Sequence, residues 1–167
     1  TYNLLDKKIA SNYQILDNKI RKLSEILAIP FIFETNIYNY LDLLITYAER
    51  FSIIISAKDT PGMHITDTIY EKLKKIGVCY DLKNAHWSSY ILFCSKGKKV
   101  FEDLKYEEPL SFKYKEGNNW YEIHSAPLHK GNCSKIYINH VDYSVNERGL
   151  NFVIFDSFNK VIDSICF

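Results

Sequence analysis

The chain has 167 residues and a formal net charge of +1 at pH 7, and 25% of its residues are charged. This length predicts one domain with a sizeable core, and a balanced charge without a long basic run argues against binding to a nucleic-acid backbone. No stretch reaches the roughly 18 to 20 apolar residues that a membrane-spanning helix needs, and no signal peptide opens the chain.

Residues 2–28 have the apolar spacing of a helix. Six apolar side chains follow one another at alternating intervals of four and three residues, which is the a/d seam of a coiled coil: Ile9, Tyr13, Leu16, Ile20, Leu23 and Leu27. Pro30 predicts the end of this helix, so we divide the chain into an N-terminal helix, residues 1–29, and a domain, residues 30–167. Two interpretations remain open: a coiled coil that joins chains or spaces domains, and a helix packed on its own domain.

The rest of the chain predicts an α+β fold in which antiparallel sheet dominates. We expect helices at residues 37–49 and 65–76, and a central apolar strand at residues 51–57. Further strands are expected at residues 31–33, 88–95, 100–104, 110–114, 120–125, 134–140 and 143–145, with a turn at residues 140–142. The chain ends in a predicted hairpin of residues 147–156 and 160–167, whose first strand is apolar on both faces and therefore buried.

The four cysteines give no indication of a metal site. They lie far apart and without Cys-x-x-Cys spacing: Cys79, Cys94, Cys133 and Cys166. Cys94 and Cys166 occur in apolar strands, where a small buried thiol is usual. We therefore expect reduced thiols and a cytoplasmic location, which includes the inner face of the membrane.

Two polar positions lie at the ends of predicted buried strands. Asp59 follows the strand at residues 51–57, where a carboxylate is well placed for a ligand; the alternative is a turn-capping aspartate. Arg148, one of three arginines in the chain, precedes Gly149 at the start of the hairpin. A guanidinium there is a forked donor for paired oxygens; the alternative is a surface arginine paired with a neighbouring acid.

An aromatic residue flanked by hydroxyl residues opens another strand. Trp87 lies between His86 and Ser88, and carbohydrate sites favour such a mixture because a flat ring receives the apolar face of a sugar while polar groups bind its hydroxyls. The alternative is that Trp87 is a core residue.

Catalytic motifs are missing from the sequence. It has no Gly-x-Ser-x-Gly elbow and no glycine-rich phosphate loop. The five histidines, His64, His86, His124, His129 and His140, have no short metal-ligand spacing. Paired carboxylates for glycoside hydrolysis converge in space rather than in sequence, so that alternative stays open.

Several of these stretches together resemble the interleukin-like EMT-inducer (ILEI, PANDER-like) domain. Residues 134–139, 146–156 and 160–164 are similar to the core motif of that family, and residues 54–62 to its strand ending in Lys-Asp-Glu-Gly. Residues 86–90 fall where the family has an aromatic-rich start of a strand. The resemblance covers residues 31–167.

The order of the motifs departs from that of the animal family members. There the Arg-Gly-Leu-Asn hairpin precedes the Lys-Asp strand, whereas here it follows. We interpret this order as a circular permutation or as a branch of the family with that order, and we expect residues 161–167 and 31–35 to lie close together.

The resemblance implies an antiparallel β-sandwich-like domain flanked by helices, and carbohydrate recognition without catalysis or cofactor. It assigns ligand binding to Arg148 and Asp59; a second family arginine has no counterpart, since Trp87 or Ser88 falls in its place. His86, Lys58 and Asn151 are secondary candidates for ligand contact.

We expect the chain, which starts at Thr1 without a methionine, to be part of a larger bacterial protein of capsule or lipopolysaccharide biosynthesis, of the glycosyltransferase type. Its partner would be a glycan or surface polysaccharide. One alternative is an oligomerisation or protein-interaction module without sugar binding, in which residues 2–28 join copies of the chain and the domain serves protein contacts. The other is a stand-alone transferase or hydrolase.

Overall fold

The computed structural model describes residues 2–167, with side chains from residue 9 onwards. This part of the chain forms three α-helices: α1 (Tyr2–Phe33), α2 (Ile37–Thr46) and α3 (Asp67–Lys75). It also forms nine strands: β1 (Ser52–Lys58), β2 (Ser88–Ser95), β3 (Lys98–Tyr106), β4 (Leu110–Glu116), β5 (Asn119–Ala126), β6 (Cys133–Ile138), β7 (Val141–Asp142), β8 (Gly149–Phe155) and β9 (Val161–Cys166). The predicted α+β class and the N-terminal helix are confirmed.

The strands form one mixed sheet in which antiparallel pairing dominates. β1 lies between β2 and β8, so that Ile54 faces Phe93 on one side and Val153 on the other. β3 continues the sheet beyond β2, and β9 continues it beyond β8. A single parallel bridge, Lys58 to Ala126, joins β1 to β5, which pairs with β4 and β6. The chain therefore has a central antiparallel group of strands with a second group attached at one end of β1.

Two apolar cores cover the two faces of β1. Because successive side chains of a strand point to opposite faces, Ile53 and Ile55 pack with the helices, whereas Ile54 packs with β5 and β6. The helix-side core includes Tyr40, Leu44 and Leu73, all fully buried. This double coverage explains why β1 and β8 are apolar on both faces.

The helix α1 does not end before Pro30, and residues 31–33 are not a strand. The helix continues to Phe33, because Phe31 is buried and packs edge-on against Tyr40 and Phe51. This packing offsets the hydrogen bond that a proline removes from a helix. The predicted boundary at residue 29 therefore lies inside a continuous helix.

The predicted turn at residues 140–142 and strand at residues 143–145 are also wrong. Asn139 and His140 both have positive φ, 50° and 68°, as in a two-residue hairpin turn. The returning strand is therefore β7, which begins two residues earlier than expected, and its Asp142 side chain accepts a hydrogen bond from the Ser144 backbone N–H.

The later turns of α1 pack on the domain. Ala28 and Phe31 are buried, whereas Tyr13, Leu16 and other seam residues are exposed. The helix contacts β9, and Ile32 lines a depression with Val161 and Ile162, so the end of α1 lies beside the last strand. Among the described residues, no helix is both long and apolar enough to cross a membrane.

Candidate functional site

The candidate site lies where β1 ends and β8 begins. Lys58 is paired with Gly149 in this antiparallel ladder, so the next residue after β1 and the residue before β8 are neighbours. Those residues are Asp59 and Arg148, and Arg148 Nε lies 2.7 Å from Asp59 Oδ2. The register of one strand pair therefore joins two residues that are far apart in the chain.

The two members of this ion pair differ in exposure. The Asp59 side chain is 4% exposed and the Arg148 side chain 55% exposed. A buried carboxylate without a partner is costly, so Asp59 needs the guanidinium, whereas Arg148 keeps much of its surface in solvent. The contact uses Nε, which carries one of the five N–H donors of the guanidinium.

A tight turn places the carboxylate. Asp59 has φ 69°, a left-handed conformation that aspartate tolerates better than most residues, and the Thr60 N–H donates to Lys58 O at 2.9 Å. The Thr60 hydroxyl lies 3.5 Å from Asp59 Oδ1. Both carboxylate oxygens therefore face polar groups of the protein.

Gly149 allows the arginine to sit against the end of the chain. It has φ 112°, and a Cβ at this position would lie 2.4 Å from Phe167 O. The backbones of Leu150 and Phe167 exchange two hydrogen bonds, 2.9 and 3.0 Å long, so this close approach is part of the sheet. This geometry explains why a glycine follows Arg148.

Lys58 and Asn151 hold the loop that carries Arg148. Lys58 Nζ donates to Asn146 O at 2.8 Å. The Asn151 amide accepts from Glu147 N at 3.0 Å and donates to Glu147 O at 2.7 Å, and Asn151 is 1% exposed. The geometry makes both residues positioning groups rather than exposed ligand contacts.

Arg148 borders a small depression with mainly apolar walls. Its volume is about 90 Å³, and it is lined by Ile37, Thr60, Pro61, Met63, His64, Ile65, Arg148, Gly149, Leu150 and Phe167. Drug-sized ligands occupy pockets of about 300 Å³ or more, so this depression fits one substituent or one edge of a ring. We call it the arginine depression.

Gly62 fixes the loop on one side of the arginine depression. A Cβ on Gly62 would lie 2.2 Å from Leu82 O and 2.8 Å from Lys83 O. The loop therefore packs directly on the backbone of residues 82 and 83, with no space for a side chain.

Trp87 is not a core residue. It is 54% exposed and has φ 48°. It lines a second depression of about 210 Å³, the tryptophan depression, together with Glu107, Pro127, His129 and Lys130. The backbone N–H of Trp87 donates to the Thr60 hydroxyl at 3.2 Å. Thr60 therefore lines the arginine depression and also contacts the backbone of Trp87, which lines the tryptophan depression.

Five of the six predicted site residues thus fall into three groups. Asp59 and Arg148 are in contact, Lys58 and Asn151 support the arginine loop, and Trp87 belongs to the neighbouring depression. His86 is exposed and lines neither depression.

Sequence reasoning missed most of the residues that line the two depressions. The depressions take them from separate parts of the chain, among them Ile37, Met63, Phe167, Glu107 and His129. Met63 and His64 follow the strand-end turn directly, so their position next to Asp59 was the one available signal. The others depend on long-range packing, which no local pattern reports.

A polar relay lies on the open face of β4 and β5. Ser111 Oγ lies 2.7 Å from His124 Nδ1, and His124 Nε2 lies 2.9 Å from Glu122 Oε1. Hydrogen bonds from Lys113 and from the histidine hold the pKa of Glu122 below its usual value. Sequence reasoning missed this set because Ser111 and His124 are cross-strand partners. It lies outside both depressions.

Within the described part of the chain, no group of three or more His, Cys, Asp or Glu side chains could hold a metal ion.

Comparison of the chain with protein-family models, with curated proteins and with solved structures found no match.

Proposed function

We propose that this chain is a non-catalytic carbohydrate-binding domain of a larger bacterial protein of capsule or lipopolysaccharide biosynthesis, of the glycosyltransferase type. The observation that carries the proposal is the ion pair of Arg148 with the buried Asp59 beside a mainly apolar depression. Sugars combine hydroxyl groups with apolar C–H faces, so their sites combine fixed polar groups with apolar walls.

The two charged residues take different parts in this site. Arg148 is the group that contacts the glycan, because its side chain is half exposed and retains N–H donors for ring, hydroxyl or N-acetyl oxygens. Asp59 is nearly inaccessible and acts mainly by orienting the guanidinium. The apolar wall, which includes Ile37 and Leu150, fits a methyl group or a C–H edge.

Trp87, whose backbone contacts Thr60, provides a second contact area. Its exposed ring is suited to stack on the face of a sugar, and Glu107 and Lys130 supply polar groups beside it. We assign the arginine depression and the tryptophan depression to neighbouring units of one glycan. Weak binding of this kind raises the local concentration of acceptor near a tethered catalytic domain.

The proposal includes the family and its architecture. We infer that the strands form a sandwich-like arrangement, in which β4, β5 and β6 pack over the central strands; the apolar core shared by Ile54, Ile123 and Ile136 supports this. We further propose that the chain is a permuted ILEI-like domain. The Arg-Gly and Lys-Asp motifs support it, as does the position of the end of α1 beside β9. The parent protein would act in the cytoplasm or at the inner face of the membrane.

Glycan titration of single variants tests the site. A lost hydrogen bond to a charged group costs about 1.5–3 kcal/mol, so we expect Arg148→Ala to weaken glycan binding by about tenfold or more. Asp59→Ala should weaken it too, by releasing the guanidinium. Arg50→Ala removes an exposed arginine outside both depressions, so this variant should bind glycan with the affinity of the unsubstituted chain. Unchanged affinity in both site variants would remove the assigned site.

The exposed seam of α1 favours a second function, assembly of chains. The exposed fractions of Ile9, Tyr13, Leu16 and Leu23 are 45%, 70%, 53% and 43%. An apolar a/d seam of this length is stable when it pairs with another helix.

Sedimentation tests whether this seam joins copies of the chain. Leu16→Lys should dissociate an assembly held by the seam, whereas Asn18→Lys, on the polar side of the same turn, should leave it intact. If the unsubstituted chain sediments as a monomer, the assembly role is eliminated, and the carbohydrate site is not affected by that result.

A further inference from the structure

A thiol and an amine lie in contact outside both depressions. Cys79 follows α3, and Lys99 lies in β3; Lys99 Nζ donates to Cys79 Sγ at 2.8 Å. Cys79 is exposed, and the Lys99 side chain is about one third exposed, at 34%. Oxidants in solution can therefore reach the pair.

Glu102 holds the two groups together. Its Oε1 accepts from Cys79 N at 2.7 Å and from the Tyr90 hydroxyl at 3.0 Å, while its Oε2 accepts from Lys99 Nζ. The Glu102 side chain is 4% exposed, so this carboxylate is a fixed anchor. Burial disfavours the charged form of Lys99, but hydrogen bonds to Cys79 and Glu102 outweigh it and raise the lysine pKa. The thiolate is the reactive form of a cysteine, and Cys79 is exposed to solvent.

We propose that Cys79 and Lys99 are a site of reversible oxidative modification, in which one oxygen atom bridges Sγ and Nζ. Dioxygen is the oxidant. The thiolate and the ammonium react with one dioxygen molecule to form an S–O bond and an O–N bond, and the second oxygen atom leaves as water with two of the three ammonium protons. Sulfur and nitrogen each lose two electrons, and dioxygen gains four. Two dithiol molecules restore the thiol and the amine: they supply four electrons and four hydrogen atoms, become disulfides, and the bridging oxygen atom leaves as water.

Cys94 and Cys166 are less suited to react with Cys79. Cys94 is 3% exposed, and its thiol donates to Ile76 O at 3.4 Å. Gly77 lies over it, since a Cβ on Gly77 would meet Cys94 Sγ at 3.0 Å. Cys166 donates to Arg148 O at the other site. The amine of Lys99 is thus the group that already contacts the exposed sulfur.

The bridge would tie the segment after α3 to β3. That segment continues to Leu82 and Lys83, whose backbone supports Gly62 in the loop of the arginine depression. A covalent link between residues 79 and 99 also closes a loop in the unfolded chain, which favours the folded state. The oxidised chain should therefore melt at a higher temperature than the reduced chain.

Intact mass spectrometry tests this proposal on the full chain, after equilibration with dioxygen in the absence of reductant. We expect a mass gain of one oxygen atom less two hydrogen atoms, its loss on addition of dithiothreitol, and failure of trypsin to cleave after Lys99 in the oxidised form. Cys79→Ser and Lys99→Met should abolish the gain, whereas Cys133→Ser and Lys98→Met should retain it. Circular dichroism establishes that each variant is folded.

Other outcomes overturn the proposal. Gain of a complete oxygen atom would indicate a free sulfenic acid, and loss of two hydrogen atoms alone would indicate a disulfide or a direct sulfur–nitrogen bond. An unchanged mass, or the expected gain in Lys99→Met, would likewise remove the bridge.

Discussion

The ion pair at the candidate site should stabilise the fold measurably, because one of its members is buried. Two unit charges about 4 Å apart attract by about 4 kcal/mol at an effective dielectric constant of about 20. Since the Arg148 side chain is 55% exposed, solvent reduces this value, and we expect a coupling free energy of about 1–2 kcal/mol between Asp59 and Arg148. The measurement is a double-mutant cycle with Asp59→Asn and Arg148→Met, with free energies of unfolding from urea titrations.

The chain offers a matched control for that cycle. Arg21 pairs with Asp17 on α1, and its side chain is 54% exposed, but there the carboxylate side chain is 48% exposed. Exposed pairs one helical turn apart contribute about 0.3–0.5 kcal/mol, so the cycle of Arg21→Met and Asp17→Asn should give the smaller coupling. A coupling at Asp59 and Arg148 no larger than that of the control pair would refute the argument that burial of the carboxylate strengthens the contact.

Three further predictions concern packing and pH. Gly149→Ala should destabilise the fold by about 3 kcal/mol or more, since strain at positive φ and overpacking each cost about 1–3 kcal/mol. Phe31→Ala should cost about 3–5 kcal/mol in free energy of unfolding, because the side chain is buried. Burial raises the pKa of Asp163, so the folded state binds its proton more tightly than the unfolded state. The free energy of unfolding should therefore fall as pH rises from the unfolded to the folded pKa of this carboxyl, and Asp163→Asn should remove that slope.

Two other positions of the chain provide controls for the packing predictions. Gly117 has φ 59° with open space around it, so Gly117→Ala should cost about 1 kcal/mol. Phe33 is 80% exposed, and Phe33→Ala should change stability by less than about 0.5 kcal/mol. Equal losses within either pair, or a pH slope that Asp163→Asn leaves intact, would contradict the corresponding prediction. Urea titrations, repeated across a pH series for Asp163, supply all of these values.

Local sequence patterns predicted where the strands lie better than they predicted which strands pair with one another. The double-sided apolar pattern of β1 and β8 identified two buried strands, because every residue of such a strand packs against a core. The pairing of Lys58 with Gly149, which joins Asp59 to Arg148, depends on which strands become neighbours. That choice is made by long-range packing, and no spacing within either segment encodes it.

The incorrect predictions have similar causes. Pro30 predicts a helix end from local geometry, but burial of Phe31 against residues distant in sequence carries the helix past it. Asn139 and His140 form the turn through positive φ at both positions. Asparagine is a common residue in such turns, but a histidine at the second position does not by itself predict one. The sequence left Trp87 open as a ligand contact or a core residue, and its exposure depends on what the chain packs beside it rather than on its own segment.

The most direct test of the central claim is a nuclear magnetic resonance titration of the chain with a surface glycan. The chain has three arginines and two tryptophans, so the side-chain N–H signals of Arg148 and Trp87 are readily assigned. We predict that glycan shifts these two signals in the unsubstituted chain and leaves the signals of Arg21, Arg50 and Trp120 in place. Saturating glycan that leaves the Arg148 and Trp87 signals unmoved, or moves only the others, would contradict the claim that carbohydrate binds at the end of β1.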